Sequence, residues 1–198
     1  MKTSKLLTIA LLFVFYSCNN GVKTNAQKVD FGIYEIVTIS NPDSIVAALK
    51  SGNIQIEKAN EPSVIGYIKS SDSLIIQLGL SKDNFKLVKT IYKVGKEQKY
   101  AALVAIKSTP DINNAHIQKT GVEGNRVIIY FNWDGARKWA EMTKKNIGKQ
   151  VAFVIDNQIY TMPLVNAVIN GGVAQLDNLK NETIAKHISA SLNSSLPK

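Results

Sequence analysis

The stretch from Phe131 to Leu176, FNWDGARKWAEMTKKNIGKQVAFVIDNQIYTMPLVNAVINGGVAQL, constrains the fold of this chain more than any other part. Phe131 ends a run of alternating apolar residues. Asn132 or Asp134 can then open a helix, since both side chains can accept hydrogen bonds from free N–H groups of a first turn. Ala136, Trp139, Ala140, Thr143 and Ile147 recur at helical spacing, with Arg137, Lys138, Glu141, Lys144 and Lys145 on the other side. Gly148 stands where a helix stops in a left-handed residue. Val151 to Ile155 and Ile159 to Leu164 read as strands joined at Asp156-Asn157, a pair that tolerates the positive φ of a tight turn. Gly171-Gly172 precede a last strand, Val173 to Leu176, and read as a bend or bulge that lets backbones approach.

The remainder is less marked. Phe31 to Thr38 reads as a strand. Asn41-Pro42-Asp43 reads as a helix start, with Ile45, Val46 and Leu49 inward and Gly52 at the end. Ser73 to Leu80 reads as a second strand, and Ser81 as the cap of a helix carrying Phe85, Val88 and Ile91. Tyr100 to Lys107, a continuous apolar run, reads as a strand buried on both faces, though periodicity leaves a buried helical turn open. Thr109-Pro110-Asp111 predicts a short helical turn. His116 to Thr120 and Arg126 to Asn132 flank Gly121 and Gly124 as a hairpin. Asn181 caps a final helix with Ile184, Ile188 and Leu192 inward. This order predicts an α+β fold, a mixed, largely antiparallel sheet packed with helices.

The N-terminus reads as a processing signal. Lys2 and Lys5 precede an apolar core from Leu6 to Tyr16, far shorter than the roughly 20 residues of a membrane-spanning helix. Cys18, the only cysteine of the 198 residues, follows Ser17 where that core ends. This resembles the lipobox of bacterial lipoproteins, in which the cysteine carries the lipid. The alternative is a plain secretory signal with a cysteine near the cut. The division that follows is a signal peptide over 1–17, a flexible tether over 18–27, an α+β part over 28–106, and a second part over 107–198. Two leader lysines supply two of the nine net positive charges. The remaining excess suits acidic partners or anionic lipid, or simply forms a solvated face.

Catalytic and cofactor signatures are missing from the sequence. The two histidines, His116 and His187, are far apart in sequence, and no phosphate loop, nucleophile elbow or zinc-protease motif occurs. Basic residues do not alternate with aromatics as nucleic-acid binders require. The expectation is a protein without cofactor, metal or nucleic-acid partner, and not an enzyme.

Several residues resemble the head of the large periplasmic domain of the SecD protein-export family. They are Asn132, Gly135 and Ala136 at the helix start, then Trp139, Lys144 and Lys145. Asn146 to Lys149 (with Gly148), Asp156, Pro163, Ile169, Gly171, Gly172, Ala174, Gln175 and the terminal Leu196-Pro197 complete the set. The resemblance covers roughly 107–197. It implies the head fold and a surface for extended polypeptide, on a lipid-anchored envelope protein facing the periplasm of either membrane. The family's six membrane helices and proton-carrying carboxylates have no counterpart here, so proton-driven pulling is not implied. A scaffold subunit docking one fixed envelope or translocon partner is the rival reading.

Overall fold

The computed structural model describes residues 27–69, 85–94 and 99–197. Cys18, the strand expected over Ser73 to Leu80 and the cap expected at Ser81 lie outside them.

The fold is organised around its first strand. β1 (Phe31–Glu35) lies inside an eight-stranded sheet and pairs antiparallel along its whole length with β9 (Val151–Ile155). Its other edge takes the two-residue β6 (Ile112–Asn113). Alternation along β1 sends Phe31 and Ile33 to one face and Tyr34 to the other, each in a different apolar cluster. The sheet continues beyond β9 through β10 (Gln158–Thr161), β4 (Phe85–Val94), β5 (Tyr100–Lys107), β3 (Gly66–Lys69) and β2 (Ile56–Lys58). Only β10 and β4 run parallel among the described pairs. The sheet thus takes strands from both sides of Lys107. A second, three-stranded sheet joins β7 (Ile117–Glu123), β8 (Arg126–Phe131) and β11 (Val173–Leu176).

Three helices cover these sheets. α1 (Asp43–Ser51) buries Ile45 and Leu49 against Ile68, Leu103 and Ala105. α2 (Trp133–Lys145) and α3 (Glu182–Ser194) close the main core, in which Trp139, Met142, Ile188 and Leu192 meet Phe31, Ile33 and Phe153. Asn181 caps α3 by accepting a 2.9 Å bond from the Ile184 N–H. The α+β class and largely antiparallel sheet expected from the sequence are those found.

Four local expectations need correction. Phe85, Val88 and Ile91 belong to a strand, not a helix. Phe85 and Leu87 point to one cluster and Val88 to another, a period of two that overrides the three-residue spacing once β5 and β10 supply backbone partners on both edges. No helical turn starts at Thr109-Pro110-Asp111. The Asp111 N–H donates to the Ile33 carbonyl, and the turn comes later, at Asn114–His116, with the Asn113 side chain accepting from the Ala115 N–H. Gly121 lies within β7, and the hairpin turns instead at Gly124, at φ 58°. Ile147 is 51% exposed. α2 ends at Lys145, and the Asn146 side chain folds back to donate to the Met142 carbonyl, so the helical period no longer points Ile147 inward.

Glycine positions in the motif separate by mechanism. A Cβ on Gly135 would collide with the His116 carbonyl oxygen, and that backbone is itself bonded to Asn132. Gly148 has open space but adopts φ 76°, while Gly171 has open space and no positive φ. Gly135→Ala is therefore expected to cost about 2 kcal/mol or more. Gly148→Val should cost about 1 kcal/mol or more from backbone strain alone. Gly171→Ala should stay within about 0.5 kcal/mol. Urea midpoints of the three variants check that order.

Candidate functional site

The motif residues converge on α2 and the segment that runs beside it. Asn132 does three things at the helix start. Its Oδ1 accepts from the Gly135 N–H at 2.9 Å, its own N–H donates to the His116 carbonyl, and its Nδ2 donates to the Ala115 carbonyl. The helix is thereby seated on the Asn114–His116 turn, and only glycine fits at the point of contact. One turn on, Trp139 packs at 6.0 Å from both the Phe131 and Phe153 rings. Its Nε1 donates to the Val173 carbonyl at 3.2 Å, which ties α2 to β11.

The chain leaving β10 returns along α2. Pro163 to Val165 runs antiparallel to Gly148–Val151: the Val151 N–H donates to the Pro163 carbonyl, the Val165 N–H to the Lys149 carbonyl, and the Gly148 N–H to the Val165 carbonyl. Farther along, the fully buried Thr143 hydroxyl accepts from the Ile169 N–H at 3.0 Å while donating to the Trp139 carbonyl. Gly172, at φ 63°, then passes so close to Ala136 that a Cβ would stand 2.9 Å from the alanine methyl.

Between this segment and β11 lies an apolar groove of about 530 Å³. Trp139, Val151 and Phe153 line its interior, Pro163 to Val165 and Ile169 form one wall, and Val173, Ala174 and Gln175 of β11 form the other. Leu164 and Ile169 stand 54% and 40% exposed at the rim. Among the described residues β11 pairs only with β8, so one edge of it carries no strand. The Phe131 N–H donates to the Gly172 carbonyl, while the Val173 carbonyl turns to Trp139. By alternation, Gly172 and Ala174 face β8 and Val173 and Gln175 face the free edge. The arrangement sets the free backbone edge of β11 beside an apolar trough.

Asp156 lies apart from the groove. It and Asn157 form the β9–β10 turn at φ 48° and 59°. Its Oδ1 also accepts from the Asp30 N–H, and its N–H donates to the Asp30 carbonyl, pinning the entry of β1. Neither histidine joins a metal cluster among the described residues.

A polar cluster that sequence reasoning missed sits across the sheet end. The Glu35 carboxylate, 14% exposed, meets Lys107 at 3.0 Å and Lys145 at 2.8 Å, and Lys107 also meets Asp111 at 3.3 Å. Burial pushes the Glu35 carboxyl up, but its two lysines outweigh that and hold it below the usual range. His116 is shifted down, first by burial and then by Lys138, against the pull of Asp134 at 3.4 Å. Nothing in the local sequence announces a pair separated by 110 residues.

Taken together, the fold is an α+β head-type domain with its motif residues gathered about one helix and one edge strand. Residues 89–197 match the family described as the SecDF P1 head subdomain, and the chain belongs to that family. It is similar to part of the protein translocase subunit SecD of Acidaminococcus fermentans, 42% identical over 72 residues, which are 36% of this chain and 17% of that protein. The protein translocase subunit SecDF of Thermus thermophilus is 40% identical over 73 residues, 36% of this chain and 10% of that one. The chain thus spans less than a third of these relatives' length. A solved structure of SecDF, described as a membrane component that enhances protein export, superposes with a TM-score of 0.50 at 22% identity. That alignment covers 86% of this chain and 64% of the other, and it shows a shared fold. Among the described residues no helix is long and apolar enough to cross a membrane.

The shifted groups set a pH dependence. Both Glu35 and His116 bind a proton less readily folded than unfolded, so each contributes stability above its unfolded value and loses it as pH falls. Stability should begin to fall below about pH 6.5 and fall again below about 4.3. Glu35→Gln should flatten the second decline and leave the first. Urea midpoints of both proteins between neutral and acid pH test this. A second decline unchanged in the variant would refute the assignment to Glu35.

Proposed function

We propose that this chain is a lipid-anchored envelope protein, held through Cys18 and facing the periplasm, whose head domain assists protein export by holding extended polypeptide. It does so without catalysis, cofactor or nucleic acid. The observation that carries the reading is the groove beside β11. Its walls include the motif residues Pro163, Ile169, Ala174 and Gln175, and it sets a strand edge that carries no neighbouring strand among the described residues next to apolar surface. Strand addition at such an edge draws affinity from backbone bonds and tolerates many sequences, with side chains of the guest falling alternately into the trough. Ordering a flexible guest costs entropy, so affinity is modest. The named SecD and SecDF relatives are translocase subunits, which makes exported chains the natural guests.

Gln175→Pro removes an N–H on the free edge without removing a bond to β8. The variant should melt near wild type yet bind an unfolded model polypeptide several-fold more weakly, as read by fluorescence anisotropy. Equal binding by variant and wild type, with one stoichiometric folded partner recovered from membranes, would favour a scaffold docking that partner instead. For the anchor, Cys18→Ala should abolish acyl labelling; a mature N-terminus elsewhere, without lipid, would overturn that part alone.

A further inference from the structure

Five of the seven large apolar side chains that stand exposed among the described residues gather along one seam. They are Trp133 (82% exposed), Ile147, Leu164, Val168 and Ile169. At about 100° per residue, Trp133, Ala136 and Ala140 form one stripe along α2, Thr143 on the same stripe is buried beneath the returning segment, and Ile147 follows the end of the helix. The 163–172 segment runs beside that stripe, fastened at Gly148, at Thr143 and at Ala136. Its Val168 and Ile169 therefore stand on the segment beside that stripe, and the five exposed side chains form a band spread along two neighbouring segments. Single exposed apolar residues need no explanation, but five on neighbouring segments do. The groove accounts for Leu164 and Ile169 only, since Trp133, Ile147 and Val168 do not line it.

The band has a basic margin. Lys144 lies one helical step from Ala140 and Ile147, and Lys149 sits where the returning segment is bonded to the chain. Neither makes an ion pair among the described residues, whereas Arg137 and Lys145 do. Exposed tryptophan and aliphatic side chains with unpaired lysines beside them suit one kind of surface. Indole prefers the headgroup level of a bilayer, and each lysine near an anionic leaflet adds attraction.

We propose that this band is a membrane-contact face that lays the domain on an anionic lipid surface, with Trp133, Ile147 and Val168 entering the headgroup region. This face is independent of the polypeptide groove and of any anchor at Cys18.

The chain contains its own reporter. Of its two tryptophans, Trp133 is exposed and Trp139 is 3% exposed, so a change in emission on docking comes from Trp133. The chain from residue 19 onward, which lacks both the apolar leader and the expected anchor at Cys18, is titrated with vesicles of neutral phosphatidylcholine and of phosphatidylcholine mixed with phosphatidylglycerol. The expected result is a blue shift and flotation with anionic vesicles only, weakened by salt. Lys144→Glu with Lys149→Glu should weaken partitioning roughly tenfold. Trp133→Ser should abolish the shift and reduce flotation, while Gln175→Pro leaves both unchanged. Absence of a shift and of flotation overturns the proposal. So does an equal shift with neutral vesicles, with unfolded polypeptide, or with protein concentration alone, the last marking a face between two copies.

Discussion

The insertion of β1 between β9 and β6 is the constraint on which the rest of the structure depends. Five residues near the start of the described chain pair along their whole length with β9, which comes more than a hundred residues later. Phe31 and Ile33 fill the main core and Tyr34 the opposite cluster, so removing the strand would open both faces together. The fit is close: a Cβ on Gly32 would meet the Tyr34 ring and Pro110. The strand is held at both ends, by Asp156 at its entry and by the two lysines on Glu35 at its exit. Forming these contacts requires closure of a long loop, an entropy cost that the burial of Phe31, Ile33 and Tyr34 must offset.

α2 is the second organiser, and it explains the family motif as a set of packing solutions. Asn132 and Gly135 seat the helix on a turn, Ala136 and Gly172 allow two backbones to pass, and Gly148 turns the chain after the helix. Thr143 and Trp139 spend their polar groups on the returning segment and on β11. A groove held this way has fixed backbone along its walls and an open apolar rim at Leu164 and Ile169.

The helix presents opposite characters on its two sides. Toward the sheet it delivers Trp139 and Met142 to the core. Away from it, the exposed Trp133 stands at the start of the helix, and Lys144 near its end makes no ion pair among the described residues.

Local chemistry written in the sequence determined the pieces governed by nearest neighbours. Asn132 and Asn181 cap helices, Asp156-Asn157 turn a hairpin with both φ values positive, Gly172 bends before β11, and Ala101 to Ile106 is buried throughout, as an unbroken apolar run implies. Tertiary structure decided what depends on a partner distant in sequence. Phe85 to Val94 became a strand because β5 and β10 offered hydrogen bonds on both edges, and Ile147 turned outward because Asn146 capped the helix early. The Glu35 cluster and the groove beside β11 likewise arise only when the chain is folded, because a charge pair or a strand edge is a relation between segments, and hydrophobic period reports only on each segment's own faces.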